Sequence, residues 1–161
     1  MPTYACSTAA GRLTPAQKTD IVRCISTVHH EETGAPRYLV QVIFYEVASG
    51  NHYIAGELAR PDQIWIRGDL RSGRTEEQKG KILRRILQGV AKSTAAAEEA
   101  VWVYLSDIPA TNIVEYGRVL PLPGNEDALV RGAPRSFEGE AGTTSLTENS
   151  APTLPLVRMN Q

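Results

Sequence analysis

The stretch TPAQKTDIVRCI (Thr14 to Ile25) returns without a gap as TEEQKGKILRRI (Thr75 to Ile86). Thr, Gln, Lys, Ile, Arg and Ile match in register at a constant offset of 61 residues. Both copies read as helices. A threonine stands at each N-cap position, Pro15 follows at the first helical position of one, and Glu76 and Glu77 occupy the first turn of the other. Ile21, Cys24, Ile25 and Val28 make one apolar stripe, and Ile82, Leu83, Ile86, Leu87 and Val90 make the second. The same offset lays LVQVIFYEV (Leu39 to Val47) on AVWVYLSDI (Ala100 to Ile108), two β-branched and aromatic runs that read as strands. A further short strand precedes each helix, PTYACS in one half and QIWIRGD (Gln63 to Asp69) in the other. Each half is therefore β-α-β, a unit whose parallel strands need a crossover that is almost always right-handed.

This predicts an α+β fold in which tandem β-α-β repeats form a four-stranded, mainly parallel sheet with two helices on one face. A single domain over residues 1–132 is expected, with halves at about 2–62 and 63–124. NHYIAGEL between the halves adds an edge hairpin or short strand. Residues 133–161, polar and rich in Gly, Ser, Thr and Pro, read as a mobile tail. A parallel sheet bare on one face is unusual, so self-association over that face is expected. EYGRVLPLPGNEDALV is placed to drape over a neighbouring subunit.

Net charge is −1, which gives no broad basic field for nucleic acid or an anionic membrane. No apolar run approaches the roughly 20 residues of a membrane span. The N-terminus lacks the charged and apolar regions of a secretory signal, so a cytoplasmic protein is expected. Cys6 and Cys24 are isolated and read as reduced thiols.

Several residues stand out. Pro2 heads the first strand, where a residue lacking an N–H takes nothing from the ladder. RSGR (Arg71 to Arg74) sets two guanidiniums around a turn just before a helix N-terminus, an arrangement suited to a carboxylate. His29 and His30 close the first helix. Adjacent histidines face apart and no third ligand stands at a useful spacing, so a metal site is not expected. His52, in a hairpin-like loop, reads as solvated. Tyr104 alternates with the valines of VWVYLS, so its hydroxyl faces either a cleft or a core partner. Glu115 follows in ATNIVEYGR, after a turn at Pro109.

Together these features resemble the tautomerase superfamily, in which a β-α-β unit carries a proline directly behind the initiator methionine. The closer resemblance is to the cis-3-chloroacrylic acid dehalogenase branch, whose two halves are fused in one chain. RLTPAQK, VWVY and VEYGR resemble that branch's blocks, and the likeness runs from Pro2 to about Gly124. The resemblance implies a tautomerase-like, trimeric assembly and a cofactor-independent hydratase and dehalogenase of small unsaturated acids. In that scheme Arg71, Arg74 and His29 bind the substrate carboxylate, while Glu115, assisted by Tyr104, activates water. Pro2, exposed by removal of Met1, donates a proton; an α-amino group with a reference pKa of about 8 needs only a modest shift to act as acid or base. Ala35, Leu39 and the GAPRYL loop are candidate pocket walls. No metal or organic cofactor, nucleic acid or membrane partner is implied. Keto–enol tautomerisation of a 2-oxo acid such as phenylpyruvate, hydration with decarboxylation of an acetylenic acid, and a non-catalytic binding role are the alternative expectations.

Overall fold

The computed structural model describes residues 2–121. The expected tail at 133–161 lies outside the described residues, as does the part beyond Pro121 of EYGRVLPLPGNEDALV, the segment expected to drape over a neighbouring subunit. The first half runs β1 (Thr3–Ala9), α1 (Pro15–Thr33) and β2 (Gln41–Val47). A short hairpin follows, β3 (Tyr53–Ile54) with β4 (Glu57–Leu58). The second half runs β5 (Ile64–Arg71), α2 (Glu76–Thr94) and β6 (Val101–Ile108), and a last hairpin joins β7 (Val114–Glu115) to β8 (Arg118–Val119).

The main sheet has the order β2-β1-β5-β6. Each half contributes one parallel pair, and the halves meet through an antiparallel pair, β1 against β5, in which Thr3 faces Asp69 and Thr8 faces Ile64. The expected segment NHYIAGEL forms its own two-stranded hairpin, separate from this sheet. Leu39 and Ala100, expected as strand starts, lie in 3-10 turns, and the strands begin at Gln41 and Val101.

The threonine and glutamine shared by the two repeats close both helices at their N-termini. Thr14 accepts a hydrogen bond from the Gln17 N–H while the Gln17 side chain accepts from the Thr14 N–H. Thr75 and Gln78 do the same. These reciprocal caps satisfy two orphan donors per helix. Gly34, at φ 72, ends α1 in a left-handed conformation with its N–H on the His30 carbonyl.

One face of the sheet is covered by both helices. Ile21, Ile25 and Val28 of α1 and Ile82, Ile86 and Val90 of α2 pack on Tyr4, Cys6, Ile64, Ile66 and Leu70. Burial pushes the Cys6 thiol up to about 12, so it stays protonated, and both cysteines are free. The opposite face is open and aromatic: Tyr45 is 52% and Tyr104 50% exposed, with Trp102 beside them. Trp65 meets Tyr104 edge to face there at 5.8 Å.

One glycine sets how the central pair packs. A Cβ on Gly68 would lie 2.5 Å from Cε1 of the Tyr4 ring and 2.8 Å from Leu105 Cδ2. The ring crosses β5 only because residue 68 has no side chain. Gly68→Ala is expected to cost about 1–3 kcal/mol through overpacking, measured as a lowered urea midpoint at unchanged slope.

Candidate active site

The antiparallel centre decides what surrounds the chain's start. Carrying the Thr3–Asp69 register back one residue sets Pro2 opposite Leu70, beside Arg71. Facing residues in such a ladder have Cα atoms about 4.5–5.5 Å apart. Pro2 is buried, and its carbonyl accepts from the Gln41 N–H at 3.0 Å, which ties it to the head of β2.

Arg71 is the last residue of β5, not the first of the turn, and its side chain is buried. One of its donors, Nη1, reaches the Pro121 carbonyl at 2.6 Å. Pro121 leaves the β7–β8 hairpin, so Arg71 clamps the segment that carries Glu115. That hairpin turns through Tyr116 and Gly117, at φ 51 and 72, the double left-handed geometry of a two-residue hairpin turn. It is seated by a small cluster of Ala110, Ile113 and Leu120. Glu115, half-buried, faces Arg118 across the pair. Arg74 lies in the turn before α2, after Gly73 at φ 112.

His29 lies on the buried stripe of α1 with Ile21, Ile25 and Val28. It is 2% exposed, and its Nδ1 meets the Tyr4 hydroxyl at 2.9 Å. The two rings stand edge to face, with centroids 5.9 Å apart. Burial, then the positive charges of Arg74 and of the chain's terminal amine, bring the His29 pKa down to about 4. Burial also raises the Tyr4 pKa against the opposing pull of Arg74, so the phenol keeps its proton. Arg74 and the chain terminus thus act on the same buried pair. His30, its neighbour, turns away and donates from Nδ1 to the Ala35 carbonyl at 2.9 Å. Among the described residues no three His, Cys, Asp or Glu side chains group as metal ligands.

Pro2, Arg71, Arg74 and His29 gather where the start of β1 meets the end of β5, and Glu115 sits on the hairpin that Arg71 clamps. Tyr104 is elsewhere. It faces Arg67 across the β5–β6 pair, whereas Arg71 faces Ile108. Four residues of strand separate the two, about 13 Å, and the Tyr104 ring packs on Trp65, further still from Arg71. Ala35 and Leu39 are buried close to the C-terminal end of α1. His52 is half-exposed.

Tyr4 escaped the sequence reading, although alternation along TYACSTA puts it on the buried face with Cys6 and Thr8. A buried tyrosine hydroxyl needs a partner, and that requirement points to a polar group beneath the strand. The clamp on Pro121 had no such signal, because its acceptor is backbone.

The chain matches a family model described as a putative oxalocrotonate tautomerase enzyme over residues 1–131. Among solved structures it is similar to a member of the cis-3-chloroacrylic acid dehalogenase (cis-CaaD) family, at 39% identity over 86% of this chain and 96% of that chain, with a TM-score of 0.78. Native Ps01740 is 36% identical over 70% of this chain and 99% of that one, at TM-score 0.67. A fused 4-OT solved as a wild-type symmetric trimer is 28% identical over 76% and 98%, at TM-score 0.68. No protein with a curated functional description matches. A tandem β-α-β chain with these likenesses belongs to the tautomerase superfamily. Within it, this chain falls in the cis-CaaD-like branch.

The lowered His29 pKa carries a pH signature. Above pH 6.5 the imidazole is neutral in both states. Between pH 6.5 and about 4 the unfolded chain takes up a proton that the folded chain refuses. Folding stability should therefore fall as pH falls through that window, by on the order of 3 kcal/mol from this group. His29→Val should flatten that part of the curve, read by urea unfolding at pH 7.5, 6, 5 and 4.

Proposed function

We propose that this enzyme hydrates small 3-substituted unsaturated acids without a cofactor, and that cis-3-haloacrylates are hydrolytically dehalogenated by the same addition. The observation that carries this reading is the register of β1 on β5. It sets the chain's second residue, a proline, beside Leu70 and Arg71, while Arg74 and the terminal amine both act on His29. Loss of Met1 frees the secondary amine of Pro2 at the mouth of that cluster.

In this reading Arg71, Arg74 and His29 hold the carboxylate and draw electron density from the β-carbon. A guanidinium offers several donors in a planar fork suited to a carboxylate, and Arg71 gives one of them, Nη1, to the Pro121 carbonyl. Glu115 takes a proton from water as the water oxygen bonds the β-carbon. The displaced π electrons form a C–H bond at the α-carbon with the proton of cationic Pro2. Where the β-carbon bears a halogen, the halohydrin then loses halide and its hydroxyl proton to leave an aldehyde. An alkyne acid gives an enol and then a keto acid.

Tyr104 enters from a neighbour. It lies on the open aromatic face, four residues along β6 from Ile108, the residue that faces Arg71. That face is the surface over which copies of this chain would pack, and a homotrimer, the state of the fused 4-OT relative, is the proposed assembly. A protomer's water-activating glutamate is then assisted by the Tyr104 of the next protomer.

A panel of cis- and trans-3-haloacrylates, propynoate and phenylpyruvate, followed by NMR, tests the activity, and intact mass tests the loss of Met1. Glu115→Gln should lower hydration by at least about a hundredfold, the low end for a general base. Full hydration by that variant refutes the assigned base. Loss of phenylpyruvate tautomerisation in Pro2→Ala alone, with Glu115→Gln unaffected, would instead mark a simple tautomerase. Tyr45→Lys with Trp102→Lys should give monomers by sedimentation that fold and lack hydratase activity. An active monomer rules out the shared Tyr104.

A further inference from the structure

The Tyr4–His29 pair is a polar contact in a layer that folding alone would fill with hydrocarbon. The repeat supplies the comparison. Both helices span 19 residues at the 61-residue offset, so His29 corresponds to Val90, which is fully buried in the α2 stripe. The core-facing residues of β5 that stand where Tyr4 stands in β1 are Ile64 and Ile66. One half of the molecule packs this layer with valine and isoleucine. The other half buries a phenol and an imidazole, 0% and 2% exposed, at the cost of desolvating both.

The contact also has a direction. If the imidazole donated from Nδ1, the Tyr4 hydroxyl proton would be buried with no acceptor among the described residues, at about 1–3 kcal/mol. With Tyr4 donating to Nδ1, that proton is satisfied and the neutral ring carries its own proton on Nε2. No described residue accepts from Nε2. The charges that reach the ring, those of Arg74 and the terminal amine, are positive. A neutral N–H donor between positive charges suits an anionic oxygen.

We infer that Tyr4 is a positioning residue: its hydroxyl holds His29 in the Nε2–H tautomer and in a fixed orientation, so that Nε2–H donates to a carboxylate oxygen of the bound acid. This inference rests on the hydratase reading for the identity of the acid, but the tautomer itself does not. The ring that does the positioning is itself held, because it crosses β5 over Gly68 with no slack.

The test is Tyr4→Phe, which keeps the ring and removes only the oxygen. Long-range proton–nitrogen spectra of the histidine-labelled, ligand-free protein at pH 7 read the tautomer directly. The wild type should show His29 protonated on Nε2 with Nδ1 as a bare acceptor. Tyr4→Phe should show a mixture of tautomers at near-native melting temperature. With whichever panel acid the wild type turns over, the variant should raise KM about tenfold and change kcat by less than twofold. Protonation on Nδ1 in the wild type, or a His29 spectrum in Tyr4→Phe identical to wild type, overturns the assignment, as does an unchanged KM. A wild type inert to every acid defeats the hydratase reading instead, and the spectra still decide the tautomer.

Discussion

One pairing governs this molecule: the antiparallel contact of β1 with β5. Within each half the strands run parallel, and each could be built alone from its own crossover helix. Joined antiparallel, the halves put the first residue of one beside the strand-to-helix turn of the other. Arg71 ends the strand, Arg74 lies in the turn, and the chain's start carries the proline. Two features 69 and 72 residues apart in sequence, Pro2 with Arg71 and Pro2 with Arg74, are thereby assembled with no dedicated loop. Had the halves paired through their outer strands, the same residues would lie at separated ends of the sheet.

The cluster so formed holds two guanidiniums and is partly desolvated, and both properties come from backbone layout. Helix α1 delivers His29 to the underside of the sheet, where burial and the Arg74 charge keep it neutral. Arg71 is drawn into the structure by the Pro121 carbonyl, which accepts from its Nη1. Ion pairs elsewhere, such as Arg85 with Glu31 and Glu32, tie the end of α1 to α2 and settle the helix that carries His29.

Much of this was legible in the chain. The 61-residue repeat predicts the two helices, and the alternation of VWVY predicts that Trp102 and Tyr104 share the face opposite the valines, though not which face is covered. The offset fails between the first strands, for a physical reason. Ala9 is followed by five residues to the N-cap at Thr14, whereas Arg71 reaches Thr75 in four. In a strand a one-residue slip exchanges the faces, so aligning Thr3 with Ile64 pairs an open-face residue with a core residue. The capping glutamines, Gln17 and Gln78, stood in the repeat as matched letters before their hydrogen bonds gave them a reason. The Glu115 hairpin was harder, since two-residue strands carry no periodicity and only Tyr116–Gly117 marks the turn. Tyr104 was visible as a residue but its distance from Arg71 was not, because that depends on the β5–β6 register.

The duplicated architecture bears on where the proposed site lies. Two similar halves offer two similar layers, yet among the described residues only the first sets a buried phenol against an imidazole there. At the matching helical position the other half keeps Val90, and its strand keeps isoleucines. An all-hydrocarbon layer is the cheaper way to cover a sheet, so the second half shows what packing alone selects. Tyr4 and His29 depart from that choice within the same fold and the same layer. The departure sits under the two residues, Pro2 and Arg71, that the central register brings together. A buried polar pair that its own repeat shows to be dispensable for packing is best understood by what it faces, and here it faces the cationic corner of the sheet.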